Sequence, residues 1–276
     1  PLGSVPIPLE YIFAPEKAPE YMRIIIFNLR LPRIVMAVLI GMMLSSSGAV
    51  VQTVFQNPLA DPYIIGIAAS ATFGAVIAFV FGMPDFMYGI IAFITCLIST
   101  LMIFKMAKKG NKVNVATLLI VGIAVSSFLG AFTSFAMYMI GEDSFKITMW
   151  MMGYLGNATW KRVVFILIPL IFSVGYFYSK RNQLDALLSG DEEAHSLGVD
   201  VNRLKVKVLT VSALIVAFSV AFSGMIGFVG LIIPHTIRMI VGPSNTKMLP
   251  STILAGGFFL LICDTFGRIV LAPVEV

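Results

Sequence analysis

The chain has 276 residues, of which 58% are hydrophobic and only 12% charged, with a formal net charge of +5. Soluble domains carry about 25% charged residues, so this composition excludes an ordinary water-soluble fold and marks a membrane protein. The charge is too modest to argue for nucleic acid, and Cys96 and Cys263 lie inside apolar runs without a CxxC pair, as small buried hydrophobes rather than metal ligands or a disulfide framework.

Pro-Leu-Gly-Ser at positions 1–4 resembles a cleavage-and-cloning scar and is left out of the fold reading. Pro6, Pro8, Pro15 and Pro19 forbid a long helix in the amphiphilic stretch that follows, so 5–33 reads as an interfacial segment leading into Arg30 and Arg33. A hydrocarbon core needs roughly 20 helical residues to cross it. On that measure eight spans follow: Ile34–Val54, Ile64–Phe81, Phe86–Met106, Val113–Met139, Val163–Tyr178, Val206–Val220, Met225–Val241 and Leu249–Leu271. Backbone satisfaction inside lipid makes them helices, and the alternation of barrel strands is absent. The fold class is therefore all-α and polytopic.

Between the spans, Gly82-Met-Pro84-Asp85 makes a tight turn, and Lys105, Lys108, Lys109 and Lys112 form a basic loop. Glu142 to Arg162 reads as a longer loop whose Trp150, Tyr154 and Trp160 mark a membrane–water boundary. The largest polar stretch is SKRNQLDALLSGDEEAHSLGVDVNRLKVK, Ser179 to Lys207. Ser189 or Asp191 can cap a short helix with acids in its first turn, Gly198 stops it, and Asp200 caps a second. The segment is either a docking platform or a plain solvated loop. Placing it and the lysine loop in the cytoplasm leaves an excess of basic residues inside, in weak agreement with the positive-inside rule. Arg30 and Arg33 then stand outside.

Ser47 to Gly66 and Ser223 to Gly242 share one spacing without a gap: Gly48, Pro58 and Gly66 against Gly224, Pro234 and Gly242. The two leading helices are the first and the sixth spans, five crossings apart counting from the first, so the copies have opposite orientations. Inverted repeats are a recurrent plan for transporters, with the substrate path at their interface.

Catalytic motifs are missing. The sequence holds no GxxxxGK[ST], HExxH or GxSxG, and His195 and His235 are far apart, so there is no catalytic candidate, no cofactor and no metal site. Asp264 and Arg268 share a face of the last span, either as an internal ion pair or with Arg268 offered to a partner. Asp264 is nearly alone as an intramembrane carboxylate, which weighs against an ion-coupled secondary transporter, the alternative reading. Gly41, Ser45, Ser46, Ser47, Gly48, Gly122, Ser126, Ser127, Gly130, Gly256 and Gly257 allow close helix approach, and Gln52 is a candidate for the pathway wall.

With these residues in view, the chain resembles the permease subunits of ABC importers for iron–siderophore, haem and cobalamin. The matching segments are LRLPRIVMAVLIGMMLSSSGAVVQTVFQNPLADPYIIG, WMMGYLG, SGDEEAHSLGVDVNRLK, SGMIGFVGLIIPHTIRMIVG and LICDTFGRIVL. The resemblance implies a ten-helix subunit in the cell membrane, of which eight helices fall in this sequence and the first and last do not. It implies a homodimer, two ATP-binding-cassette ATPase subunits below and an extracytoplasmic substrate-binding protein above. It assigns binding-protein docking to Arg30, Arg33 and Arg268. ATPase coupling falls on Ser189, Gly190, Asp191, Glu192, Glu193, Ala194, Leu197, Gly198 and Arg203. Apart from the resemblance, the residues taken as pathway candidates are Ser47, Gln52, Pro234 and His235. The divisions implied are 5–33 outside, 34–178 as the first five spans, 179–207 as the cytoplasmic coupling loop and 208–276 as the last three spans. ATP hydrolysis belongs to a separate chain.

Overall fold

The computed structural model describes residues 7–8, 10–109 and 112–270. A short helix α1 (Glu10–Phe13) precedes a 35-residue continuous helix, Glu20–Val54, built from α2 (Glu20–Ile24), a π-helical stretch (Ile25–Arg30) and α3 (Leu31–Val54). The helix that holds the first span therefore starts well before the expected Ile34. Pro19 directly precedes the first helical residue, where its fixed φ costs nothing, and Pro32 is absorbed by the widened turn before it. An α-helix would drive the Pro32 ring into the Asn28 carbonyl. Here the Leu31 N–H instead reaches back five residues to Ile26.

After α3 the chain turns through a 3-10 segment, Pro62–Ile65, into the short helix α4 (Ile67–Val80). Asp61 caps that segment by accepting from the Tyr63 N–H at 2.7 Å. Then come α5 (Phe86–Ala107) and α6 (Val115–Ile140), joined by a two-residue antiparallel ladder of β1 (Lys108–Lys109) and β2 (Lys112–Val113). Expected as a loop, 142–162 instead carries a 3-10 turn and α7 (Phe145–Met151), and α8 (Trp160–Ser179) starts inside it. The polar stretch holds α9 (Arg181–Leu188) and α10 (Asp191–Ser196), and α11 (Val201–Ser223), α12 (Val229–Val241) and α13 (Asn245–Val270) complete the described chain. Among the described residues six helices are long and apolar enough to cross a membrane, with α4 and α12 as two shorter apolar ones. Each of the eight expected spans meets one of these helices. Leu271, the expected end of the last, lies outside the described residues.

The bundle is organised on α3, which packs against α8, α11, α12 and α13. It is apolar all round, as a fully enclosed helix must be, and Met36, Ile40, Met43 and Val50 have no exposed surface. By contrast α5, α6 and α8 leave apolar stripes uncovered: Ile90, Ile94 and Ile98 on α5, and Phe128, Phe132 and Phe135 on α6. Water would penalise stripes of this extent, whereas lipid is their natural solvent.

Close approach at the centre depends on glycine. A Cβ on Gly41 would overlap the Gly256 carbonyl of α13, and one on Gly48 would overlap the Gly230 carbonyl of α12. That second carbonyl has no helical partner, because residue 234, four on, is a proline without an N–H. Gly130, by contrast, faces open space.

The two copies of the Gly/Pro spacing lie in different settings. Gly48 is mid-helix and Pro58 in a turn, whereas Gly224 ends α11 and Pro234 lies inside α12. Gly66 and Gly242 are alike in having positive φ, at 80° and 88°. The two segments pack directly on one another, through Gly48 and Gly230 and through the Tyr63 hydroxyl, which donates to the Ile226 carbonyl at 3.3 Å.

Candidate functional site

Because α3 and α13 run antiparallel, the start of one lies beside the end of the other. Arg33 directs Nε and Nη2 onto the same oxygen of Asp264, at 3.0 and 2.9 Å. Arg268 Nε approaches the other oxygen at 3.1 Å, close enough for ionic attraction but off the angle of a hydrogen bond. All three side chains are at most 7% exposed. Among the described residues one carboxylate is therefore shared between two guanidiniums, and these three side chains sum to one positive charge. Arg33 also lies 5.8 Å from the centre of the Tyr154 ring. Arg268 is more loosely held, its hydrogen bonds to the Asp264 carbonyl and Thr265 Oγ1 being 3.4 Å long. Arg30 is half-buried at the junction of the π-helical stretch and α3. Trp160 Nε1 donates to the Phe27 carbonyl at 2.8 Å and fastens α8 to the same end.

The polar stretch lies at the opposite end of α3, whose 24 residues span about 36 Å. Gly190, at φ 125°, is the N-cap of α10, in place of Ser189 or Asp191. No cap side chain is needed there because Asp191, Glu192 and Glu193 put negative charge in the first turn. Ala194 is buried, while Glu192, Glu193 and Leu197 are exposed, Leu197 by 73%. Gly198 turns the chain at φ 81°, and Asp200 caps α11 by accepting from the Arg203 N–H at 3.0 Å. Arg203 itself is exposed and pairs with Asp200 at 3.3 Å. Lys205 is buried and donates to both oxygens of Asp191 at 2.6–2.7 Å, which anchors α10 to α11.

Of the residues expected along a pathway, Ser47 is sealed between α3 and α11 by its hydrogen bond to the Ser212 hydroxyl. Gln52 is 2% exposed and donates to the Leu231 carbonyl at 3.0 Å, while its Oε1 has no hydrogen-bond partner among the described residues. Pro234 is buried within α12, and the neighbouring His235 has a buried Nδ1 that is likewise unmatched. Unsatisfied polar atoms thus occur on both α3 and α12. Among the described residues no three His, Cys, Asp or Glu side chains cluster as metal ligands would.

Two features of these sites are absent from the sequence reading. Its Asp264–Arg268 pair is present, but Arg33, 231 residues away, joins it. Helix α9 was expected as part of a loop, although Leu184 and Leu187, three apart and both buried, give it a core-facing side.

A central apolar helix, apolar stripes on the outer helices and charged clusters towards the two ends define a multi-pass membrane protein. The model of the FecCD transport family matches residues 2–276, and the chain belongs to that family. It is 40% identical over 253 residues to the cobalamin import system permease BtuC of Halobacterium salinarum, covering 91% of this chain and 68% of that one. It is 37% identical over 256 residues to the hemin transport system permease HmuU of Yersinia pestis, covering 90% and 76%. A solved structure assigned to the metal-chelate type of ABC transporter, in an inward-facing conformation, superposes with a TM-score of 0.86. That match has 33% identity and covers 94% of this chain and 83% of the other.

Proposed function

We propose that this chain is the membrane-spanning subunit of an ATP-driven importer that moves a metal chelate of the iron–siderophore, haem or cobalamin class. The observation that carries the reading is the division of labour between the two ends of the bundle. A net-positive cluster of Arg33, Asp264 and Arg268, with Arg30 beside it, occupies one end, and the exposed acidic helix α10 occupies the other. A loaded binding protein presents carboxylates to the first, and two ATPase subunits grip Ser189–Arg203 at the second. The permease works as a homodimer, and the cargo passes along an inner wall that includes Gln52, Pro234 and His235. It is neither altered nor ligated as a metal by this chain. Support for the cargo class comes from relatives named for cobalamin and hemin transport.

The coupling assignment is tested by replacing Glu192 and Glu193 together with Lys. Both are exposed, so the folded permease is expected to survive while ATPase subunits no longer co-purify with it and uptake stops. Full ATPase recovery with undiminished uptake would remove this segment from the ATPase contact.

A further inference from the structure

Helix α13 begins at Asn245, directly after Ser244, a residue type that ordinarily caps its own helix. Here the Ser244 hydroxyl is spent elsewhere, as a donor to Asp185 Oδ2 at 3.0 Å. Asp185 Oδ1 accepts from the backbone N–H of Asn245 at 2.6 Å and from its side-chain amide at 2.8 Å. The first turn of α13 is thus capped by a carboxylate of α9, 60 residues earlier in the chain. Negative charge at that position is favoured by the helix dipole, and charge-assisted bonds of this length are the strong ones.

The contacts continue inward. Asn245 is fully buried, and its Oδ1 lies 3.4 Å from Thr53 Oγ1 on α3. Arg238 of α12 donates to the same Thr53 hydroxyl at 3.3 Å. A second tie runs in parallel: Gln56 donates from Nε2 to the Leu187 carbonyl of α9 at 2.8 Å. Gln56 has φ at 50°, a conformation that costs a non-glycine residue energy and persists only where its surroundings impose it. Together these bonds join α9 to α13, α3 and α12.

We infer that Asp185 is a positioning residue of energy coupling: it fastens the α9–α10 platform to the start of α13, so that a push on the platform moves α13 rather than bending the loop. The inference rests on the reading of Ser189–Arg203 as the ATPase contact. Helix α13, 26 residues and about 39 Å long, carries Asp264 and Arg268 at its far end. A displacement entering at Asp185 therefore reaches the cationic cluster through one helix. The same network delivers it to the α3–α12 seam through Thr53 and Arg238.

The test measures rigidity of the link in the assembled complex, independently of cargo. Spin labels are placed on the exposed positions Asn182 of α9 and Lys247 of α13 (Asn182→Cys and Lys247→Cys), with exposed Cys263 replaced by Ser. Permease and ATPase subunits are reconstituted in nanodiscs, and the distance is read by pulsed electron paramagnetic resonance, nucleotide-free and trapped with ATP and vanadate. With labels carried on one subunit of the dimer only, the parent is expected to give one unchanged distance in both states. In Asp185→Ala that single distance is lost and becomes nucleotide-dependent, while ATPase subunits still co-purify. Asp185→Asn, which keeps acceptor oxygen but loses the charge, provides a milder variant that folds even if the alanine does not, and is expected to broaden the distance. A constant single distance in whichever of the two variants folds would overturn the proposal. The underlying reading has its own control: if Glu192→Lys with Glu193→Lys leaves ATPase recovery intact, the platform assignment falls and the link falls with it. Loss of recovery there, together with a rigid Asp185 variant, removes the link alone.

Discussion

Asp264→Asn is the most informative single change at the cationic end. Asp264 is 5% exposed and balances two guanidiniums that are 7% exposed, so no solvent is at hand to replace its charge. Asparagine keeps one carbonyl oxygen, which can still accept from Arg33. Its amide then turns two donors toward Arg268 Nε, so that donor meets donor where an ionic contact of 3.1 Å had been. Breaking a buried pair by removing one partner costs about 3–5 kcal/mol, and the retained acceptor places this variant near the lower end. For a chain of this size each kcal/mol moves the midpoint by about 2–4 °C, which makes the expected drop roughly 6–12 °C. Thermal unfolding of the purified permease in detergent, at fixed ionic strength, reads it directly. A midpoint within a degree or two of the parent would refute the argument that one carboxylate holds both arginines. Replacing Arg33, Asp264 and Arg268 together with Leu is expected to recover most of the lost stability, since an apolar replacement of a whole buried ionic cluster is often neutral. It should also abolish binding-protein docking, which separates the two roles of the cluster.

Gly48→Val forces a side chain into the Gly230 carbonyl and is expected to cost at least 1–3 kcal/mol, whereas Gly130→Ala, facing open space, should leave the unfolding midpoint unchanged. Equal midpoints for both would show that α3 and α12 are not in close contact. Asp61, in the turn before α4, has its carboxyl pulled above the usual range by burial, an effect only partly offset by the Tyr63 N–H. Its folded-state pKa thus exceeds the unfolded one, so its contribution is greatest below the unfolded value of about 3.9 and is lost as pH rises through the folded value. Asp61→Asn keeps the acceptor and should flatten that part of the stability profile, and an unchanged slope would remove Asp61 from the account. Lys205→Met is expected to release Asp191 and raise protease sensitivity at 190–200, leaving α11 intact; unaltered cleavage would argue that α10 is held by Ala194 and its neighbours instead.

The spans were legible because eight apolar runs have no other stable solution in a chain this poor in charge. Their limits were less so. The early start at Glu20 depends on a π-helical turn before Pro32, which residue-by-residue propensity does not register. Small residues marked α3 and α13 as close-packing helices, but which glycine faces which is a property of the crossing, not of the local string. Asp264 and Arg268 stood out as costly charges within a span and Arg33 as an arginine outside it, and their meeting at a single carboxylate required α3 and α13 to lie antiparallel. Asp185 stood out least. In the sequence it is one acid among several in a polar stretch, and its partner Asn245 becomes visible only when the far end of the chain folds back.

The central claim is that the two ends of this bundle are worked by two different partners, with ATP as the energy source. It is tested most directly in proteoliposomes holding the permease and its ATPase subunits, with the binding protein outside and ATP inside. Hydrolysis is expected to rise when cargo-loaded binding protein is added, and Arg30→Glu should blunt that rise without lowering the basal rate. Uptake that needs no ATP and follows an imposed ion gradient would contradict the account.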